Sequence, residues 1–349
     1  MMHRRVLLLT SAIVCTTCFA SSAAEIVDMN KRAEELKSLK WGMFVCWSFS
    51  NFSGKEHTPR VKDVALFNPQ GCDTDQWARV AKEAGMGYIL FLTKHHDGFC
   101  LWDTKTTDHK VTKSPLGKDV LAAVRKSCDK HGIKLALYIS EGDWTWPGAK
   151  LWPSEETWPG TTKTASGRNP DVQKAQLKEL CTQYGPIEFF WIDHAWINDP
   201  AANAGLSHKE IVSWIKRFQP GCFVGFNSGE PAGDIRLGEM GKPSSLDDPS
   251  GVNFYGEASH NYRGYRLAEF TYPIYPKCPT TGPHWFYGTG PDADTACLPA
   301  EKLYEDYRDA VKYGNIFSLD VAPDRTGRLR KIDVETLQAV GRMIHQRSE

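Results

Sequence analysis

The sequence predicts an α/β fold, a (β/α)8 barrel of the TIM type built as a single domain. Three observations predict it. Short apolar runs alternate with amphipathic helical patterns over some 300 residues, as a parallel sheet with helical crossovers requires. Most of the runs lack polar alternation, the mark of strands covered on both faces. Polar residues gather at the C-terminal ends of many different runs, namely His95-His96-Asp97, Ser140-Glu141, Asp193-His194, Asn227 and Asp320. A barrel collects its functional groups in that way. An open nucleotide-binding sheet would announce itself by a glycine-rich loop after a strand, and no GxGxxG or Walker pattern follows any of them.

The strand-like runs are Gly42–Phe49, Tyr88–Lys94, Lys134–Ser140, Ile187–Asp193, Cys222–Asn227 and Ile316–Val321, with weaker ones at Leu267–Ile274 and His284–Tyr287. Helices fall between them. Asp73–Ala84 opens on an Asp cap and stops at Gly85, Lys118–His131 stops at Gly132, and Asp171–Tyr184 stops at Gly185. Ser207–Phe218 begins with Ser as N-cap and Glu210 three residues on, a capping box. Leu303–Tyr313 precedes Gly314, and Ile332–Gln346 closes the pattern, leaving no room for a second sizeable domain. The connections 144–168 and 228–266 are too long for plain loops and are expected to shape the mouth.

Residues 1–24 read as an export signal. His3-Arg4-Arg5 is a basic start, Val6 to Phe19 an apolar run, and Ser21-Ser22-Ala23-Ala24 offers small residues for cleavage. The run is shorter than the roughly 20 residues of a membrane span, so the expected mature chain begins near Glu25, without a span, in the periplasm or outside the cell. Residues 25–349 are left for the barrel. Basic and acidic residues balance at 42 each, so no global field draws the chain to nucleic acid or anionic membrane. Eight cysteines follow the signal, with no CxxC pair or metal-ligand spacing. Most are expected to be buried free thiols, with room for one bridge among Cys72, Cys100, Cys278 and Cys297.

Two segments carry the chemistry. Ile187–Asp193 is a strand ending in a carboxylate, which at the C-terminal tip of an inner strand faces the barrel mouth. Trp191, two residues earlier, points to the same face, and an aromatic wall beside an acid suits a sugar-cleaving site. Taken alone, the same Asp serves equally well as a cap for the next segment. Lys94-His95-His96-Asp97-Gly98-Phe99 follows a buried strand, and two adjacent His cannot both enter the core. At least one faces the opening, where neutral imidazoles hydrogen-bond hydroxyls. A metal reading needs further ligands, and no Hx3H or HxH pattern supplies them. Retaining glycoside hydrolysis needs a second carboxyl about 5–5.5 Å from the first. Glu230, Asp234, Glu239, Glu257 and Glu269 are available, and spacing does not choose among them.

These residues resemble the family 29 glycoside hydrolases, the retaining α-L-fucosidases, from about Trp41 to Met343. The strongest piece is Lys94-His95-His96-Asp97-Gly98-Phe99-Cys100-Leu101-Trp102-Asp103, extended by Thr107-Asp108 and Lys118-Asp119-Val120. Leu137-Tyr138-Ile139-Ser140 with Asp143-Trp144, Phe190-Trp191-Ile192-Asp193 and Asn315 to Gly327 are similar to further family segments. The resemblance implies that Asp193 is the nucleophile, and that His95, His96, Glu56, Tyr138 and Trp191 line the fucose pocket. Gly233 to Glu239 is similar to the segment carrying the family's acid/base, which implies Glu239 in that role, with Glu230 and Asp234 as alternatives. It implies neither metal nor organic cofactor, and a fucosylated oligosaccharide or glycoconjugate as substrate.

The chain departs from the family in three places. The usual first strand reads FIHWG, and its His contacts the sugar; here the strand reads Phe44-Val45-Cys46-Trp47-Ser48, which puts Cys46 on the pocket floor. His57 stands where many members carry Trp, and the usual C-terminal β-sandwich has no counterpart. The altered floor leaves open a related sugar such as an α-L-galactoside. A carbohydrate-binding protein without turnover is a further alternative, although a binder has no need of an attacking carboxylate.

Overall fold

The computed structural model describes residues 27–58, 61–145, 170–193, 206–227, 233–246, 265–276, 284–288, 290 and 292–346. The expected export signal, Glu230, Glu257 and Cys278 lie outside them. In chain order the elements are α1 (Met29–Lys37), β1 (Trp41–Val45), α2 (Ser50–Ser53), α3 (Thr74–Glu83), β2 (Tyr88–Lys94), α4 (Val120–His131), β3 (Lys134–Ser140), α5 (Pro170–Gln183) and β4 (Phe189–Asp193). They continue with α6 (His208–Phe218), β5 (Phe223–Phe226), β6 (Arg236–Glu239), β7 (Ala268–Pro273), α7 (Ala300–Lys312), β8 (Ile316–Asp320) and α8 (Lys331–Gln346).

All strand pairs are parallel, in the order β5-β4-β3-β2-β1-β8-β7-β6. The two end strands meet: Asp234 N donates to Val224 O at 2.7 Å, so the sheet curls into a nearly closed (β/α)8 barrel. Gly225 makes that seam possible. A Cβ there would stand 2.7 Å from Leu237 Cγ, and the Leu237 side chain of β6 would be pushed out.

The helices form where the caps direct. The Asp73 and Asp119 carboxylates accept from Gln76 N and Ala122 N, and Ser207 with Glu210 makes the reciprocal capping box. Truncating such a cap typically costs about 1 kcal/mol. Gly132 ends α4 in the left-handed region at φ 66°, a conformation glycine adopts without steric cost. The core lies between the strands and this helical ring, with Trp41, Trp47, Trp77 and Trp102 fully buried. Among the described residues no helix is long and apolar enough to cross a membrane.

Three expectations need correction. His284–Tyr287 is not a strand, and the remaining barrel strand is Arg236–Glu239, inside the segment read as a connection. Arg-Leu-Gly-Glu has no apolar run to reveal it; it is a strand because β7 pairs with it from Arg236↔Ala268 to Glu239↔Thr271. Helix α1 was not foreseen. It docks at the N-terminal end of the barrel, where Arg32 pairs with Glu188 at 2.8 Å. Finally, Cys72, Cys100 and Cys297 form no bridge: all seven described cysteines are free.

Candidate active site

The C-terminal ends of the strands surround a cavity of about 130 Å³. Strand alternation builds its wall: Phe44 belongs to β1 and Cys46 follows it, Tyr138 belongs to β3, Trp191 and Asp193 to β4, and Glu239 ends β6. Each pair is two residues apart or stands at a strand tip, so the side chains share the inner face. Every described residue expected from the sequence to contact substrate or carry the reaction lines this one cavity, except Asp234 and Glu269.

Two hydrogen bonds hold Asp193, and an imidazole stands nearby. Tyr138 donates its hydroxyl to Oδ2 at 2.5 Å, Asn227 donates Nδ2 to Oδ1 at 2.9 Å, and His96 Nε2 stands 3.6 Å from Oδ2. The same Asn227 nitrogen donates to Glu239 Oε2 at 2.7 Å. One amide therefore ties the two carboxylates together, and their oxygens can be no further apart than the two bonds laid end to end. That upper limit is compatible with the roughly 5–5.5 Å separation used for direct displacement. Asp234 sits at the opposite end of β6 from Glu239, roughly 16 Å away along an extended strand. There it pairs with Lys216 at 2.8 Å and Arg266 at 3.8 Å, outside the cavity.

His95 and His96 both line the cavity, although they are neighbours in sequence. A register shift between Leu92 and Lys94 breaks the strand alternation just before them. Lys94 turns outward instead, to Asp143 at 3.2 Å and Gln176 at 3.1 Å in a buried cluster. The turn that follows needs Gly98, at φ 76°, where a Cβ would meet Asp143 Oδ1 at 2.3 Å. The network also assigns the His96 tautomer. Ser140 spends its hydroxyl proton on Gly142 O at 2.6 Å. The 2.7 Å contact between Ser140 Oγ and His96 Nδ1 is therefore an Nδ1–H donating, and in the neutral ring Nε2 carries the lone pair that faces Asp193.

Aromatic rings fill the remaining wall. Trp191 stacks on Tyr138 at 5.3 Å, and Phe44 contacts both at 6.5 and 5.6 Å. Trp191 Nε1 donates downward to the buried Glu269 at 3.1 Å. Burial pushes the Glu269 carboxyl up to about 7, against the hydrogen bonds from Ser318 and Trp191. Glu56 accepts from His284 N and Trp285 N, so its carboxylate fixes the segment that brings Trp285 and Phe286 to the cavity. Burial, aided by hydrogen-bonded Asp320, pushes the Cys46 thiol well above its ordinary value, so Cys46 is a neutral floor residue and no nucleophile.

Three features escaped the sequence. Asn227 was visible only as one polar strand end among several. Trp285 and Phe286 lay in the run read as a strand. His57 joins His95 and His96 in a cluster whose ligand atoms lie within 4.8 Å of one another. The third imidazole arrives from a distant loop and leaves no spacing pattern in the sequence.

The family model described as α-L-fucosidase matches residues 25–349. α-L-Fucosidase 1 of Arabidopsis thaliana is 25% identical over 325 residues, covering 88% of this chain and 59% of that protein. The α-L-fucosidase of Dictyostelium discoideum is also 25% identical, covering 86% and 59%. The chain thus spans about three fifths of the length of these relatives. Among solved structures, α-L-fucosidase isoenzyme 1 from Paenibacillus thiaminolyticus superposes with TM-score 0.72 at 24% identity, over 91% of this chain and 76% of that one. An α-L-fucosidase from Lactobacillus casei in complex with α-L-fucose product gives 0.70 at 21% identity, over 91% and 99%. At these identities the two superpositions speak for the fold.

Proposed function

This chain belongs to the α-L-fucosidase family, and from that premise we propose that it is an exported exo-acting glycosidase. It hydrolyses terminal α-L-fucosyl residues from glycans with retention, through a covalent glycosyl-enzyme intermediate. The observation that carries the reading is the Asn227 amide shared between Asp193 and Glu239. It keeps the two carboxylates close together beside the cavity, which supports direct displacement.

In the first step Asp193 attacks the anomeric carbon as the glycosidic C–O bond breaks, and Glu239 gives its proton to the departing oxygen. In the second, Glu239 takes a proton from water, whose oxygen displaces Asp193 from the anomeric carbon. The Tyr138 hydroxyl and the Asn227 amide hold the attacking carboxylate at a fixed angle, which lowers the ordering cost of reaching the transition state. His95, His96 and Glu56 offer polar groups for sugar hydroxyls. Trp191 and Trp285 offer ring faces for the apolar side of a 6-deoxy sugar.

Asp193→Ala tests the reading. The variant should keep the far-ultraviolet circular dichroism of the wild type and lose at least a thousandfold in release of 4-nitrophenol from 4-nitrophenyl α-L-fucoside. Unchanged turnover would refute the assignment. Cys46 on the cavity floor favours one second reading, an α-L-galactoside as the preferred sugar. A panel of aryl α-L-glycosides separates the two by kcat/KM.

A further inference from the structure

We infer that His57, His95 and His96 form a site for a divalent late transition-metal ion of the zinc type, and that an ion held there blocks the cavity. The inference rests on the reading of this cavity as the sugar site and adds a means of inhibiting it.

The ring pairs are 5.8 Å apart for His57–His95, 5.7 Å for His57–His96 and 4.1 Å for His95–His96. One ligand atom from each lies within 4.8 Å of the others. Two nitrogens on one tetrahedral zinc stand roughly 3.4 Å apart, given Zn–N bonds of about 2.0–2.1 Å. The set therefore has to close by little more than an ångström. His57 is the ligand able to travel, since it sits partly exposed beyond the short α2, whereas His95 and His96 are buried at the end of β2.

Three imidazoles select zinc, copper or nickel over magnesium or calcium. The surroundings add to that choice. Metal-bound imidazoles almost always donate their second ring N–H to a nearby acceptor, and the His96 Nδ1–H does so to Ser140, leaving the Nε2 lone pair toward the cavity. Glu56, Asp193 and Glu239 line the same space, and no Lys or Arg is among its described lining residues, so these carboxylates favour a cation there. An ion on His96 Nε2 would lie beside Asp193 Oδ2, 3.6 Å from that nitrogen. It would occupy the space of the sugar hydroxyls and engage the attacking carboxylate, so metal and sugar exclude each other.

The test is equilibrium dialysis of Zn²⁺ against the whole, untagged chain, beside fucoside turnover with and without Zn²⁺. The expected result is one zinc per chain, displaced by L-fucose and weakened at least tenfold by His57→Ala. Turnover should be inhibited by zinc, restored by EDTA, and tenfold less sensitive in His57→Ala relative to that variant's own metal-free rate. Co²⁺ gives a readout on the unsubstituted chain, because visible d–d bands of four- or five-coordinate cobalt should appear and be quenched by L-fucose. Absence of stoichiometric binding, absence of those bands, or zinc binding indifferent to His57→Ala would overturn the site. Zinc binding without metal-free fucoside turnover would leave the site standing and sink the functional reading. Turnover indifferent to zinc would do the reverse.

Discussion

The residue that most directly joins structure to chemistry is Asn227. Its single side-chain nitrogen serves Asp193 and Glu239 at 2.9 and 2.7 Å. A hydrogen bond to a charged group contributes about 1.5–3 kcal/mol, and each 1.36 kcal/mol of barrier is tenfold in rate. Asn227→Ala should therefore lower kcat on 4-nitrophenyl α-L-fucoside by about tenfold to a hundredfold, with the circular dichroism unchanged. A rate equal to wild type would show that the bridge contributes nothing to the reaction. The sequence exposed Asp193 and the His pair because each ends a strong apolar run. Asn227 ends such a run too, at Phe226, but a lone Asn carries no chemical signature until its two partners are located.

At the scale of elements, β6 and β7 complete the barrel, and β7 also carries a buried acid. Strand β6 was illegible as a strand because three of its four residues are Arg, Gly and Glu, and pairing with β7 overrides local preference. Strand β7 places Glu269 beneath Trp191, fully buried. With its folded value raised to about 7 against an ordinary 4.5, the carboxyl keeps its proton in the folded chain where the unfolded chain has lost it. The folded state then binds more protons between those limits. The contribution of Glu269 to stability is full below about pH 4.5 and is lost as pH rises through 7. Glu269→Gln removes the titration. Its stability relative to wild type should rise by a few kcal/mol between pH 4.5 and pH 7.5, at 1.36 kcal/mol per pH unit. Urea unfolding at three pH values measures it; parallel curves for the two proteins would contradict the burial argument.

At the scale of the whole molecule, the barrel brings together groups that the chain keeps far apart: Glu56 after α2, the His pair after β2, Asp193 on β4 and Glu239 on β6. The alternation of apolar runs and capped helices made the barrel readable before any contact was known, since both signals are local. The acid opposite Asp193 was not readable from spacing, because five acids shared one long segment, and the closed barrel sorts the three that are described. It places Glu239 in the cavity and Asp234 at the far end of the same strand, paired with Lys216 and Arg266. The His57–His95–His96 cluster is likewise a product of closure. The central claim is that Asp193 becomes covalently joined to the sugar. Incubation with 2-deoxy-2-fluoro-α-L-fucosyl fluoride, followed by proteolysis and tandem mass spectrometry, tests it most directly. The predicted result is a single fluorofucosyl adduct on Asp193; an adduct on any other side chain would contradict it.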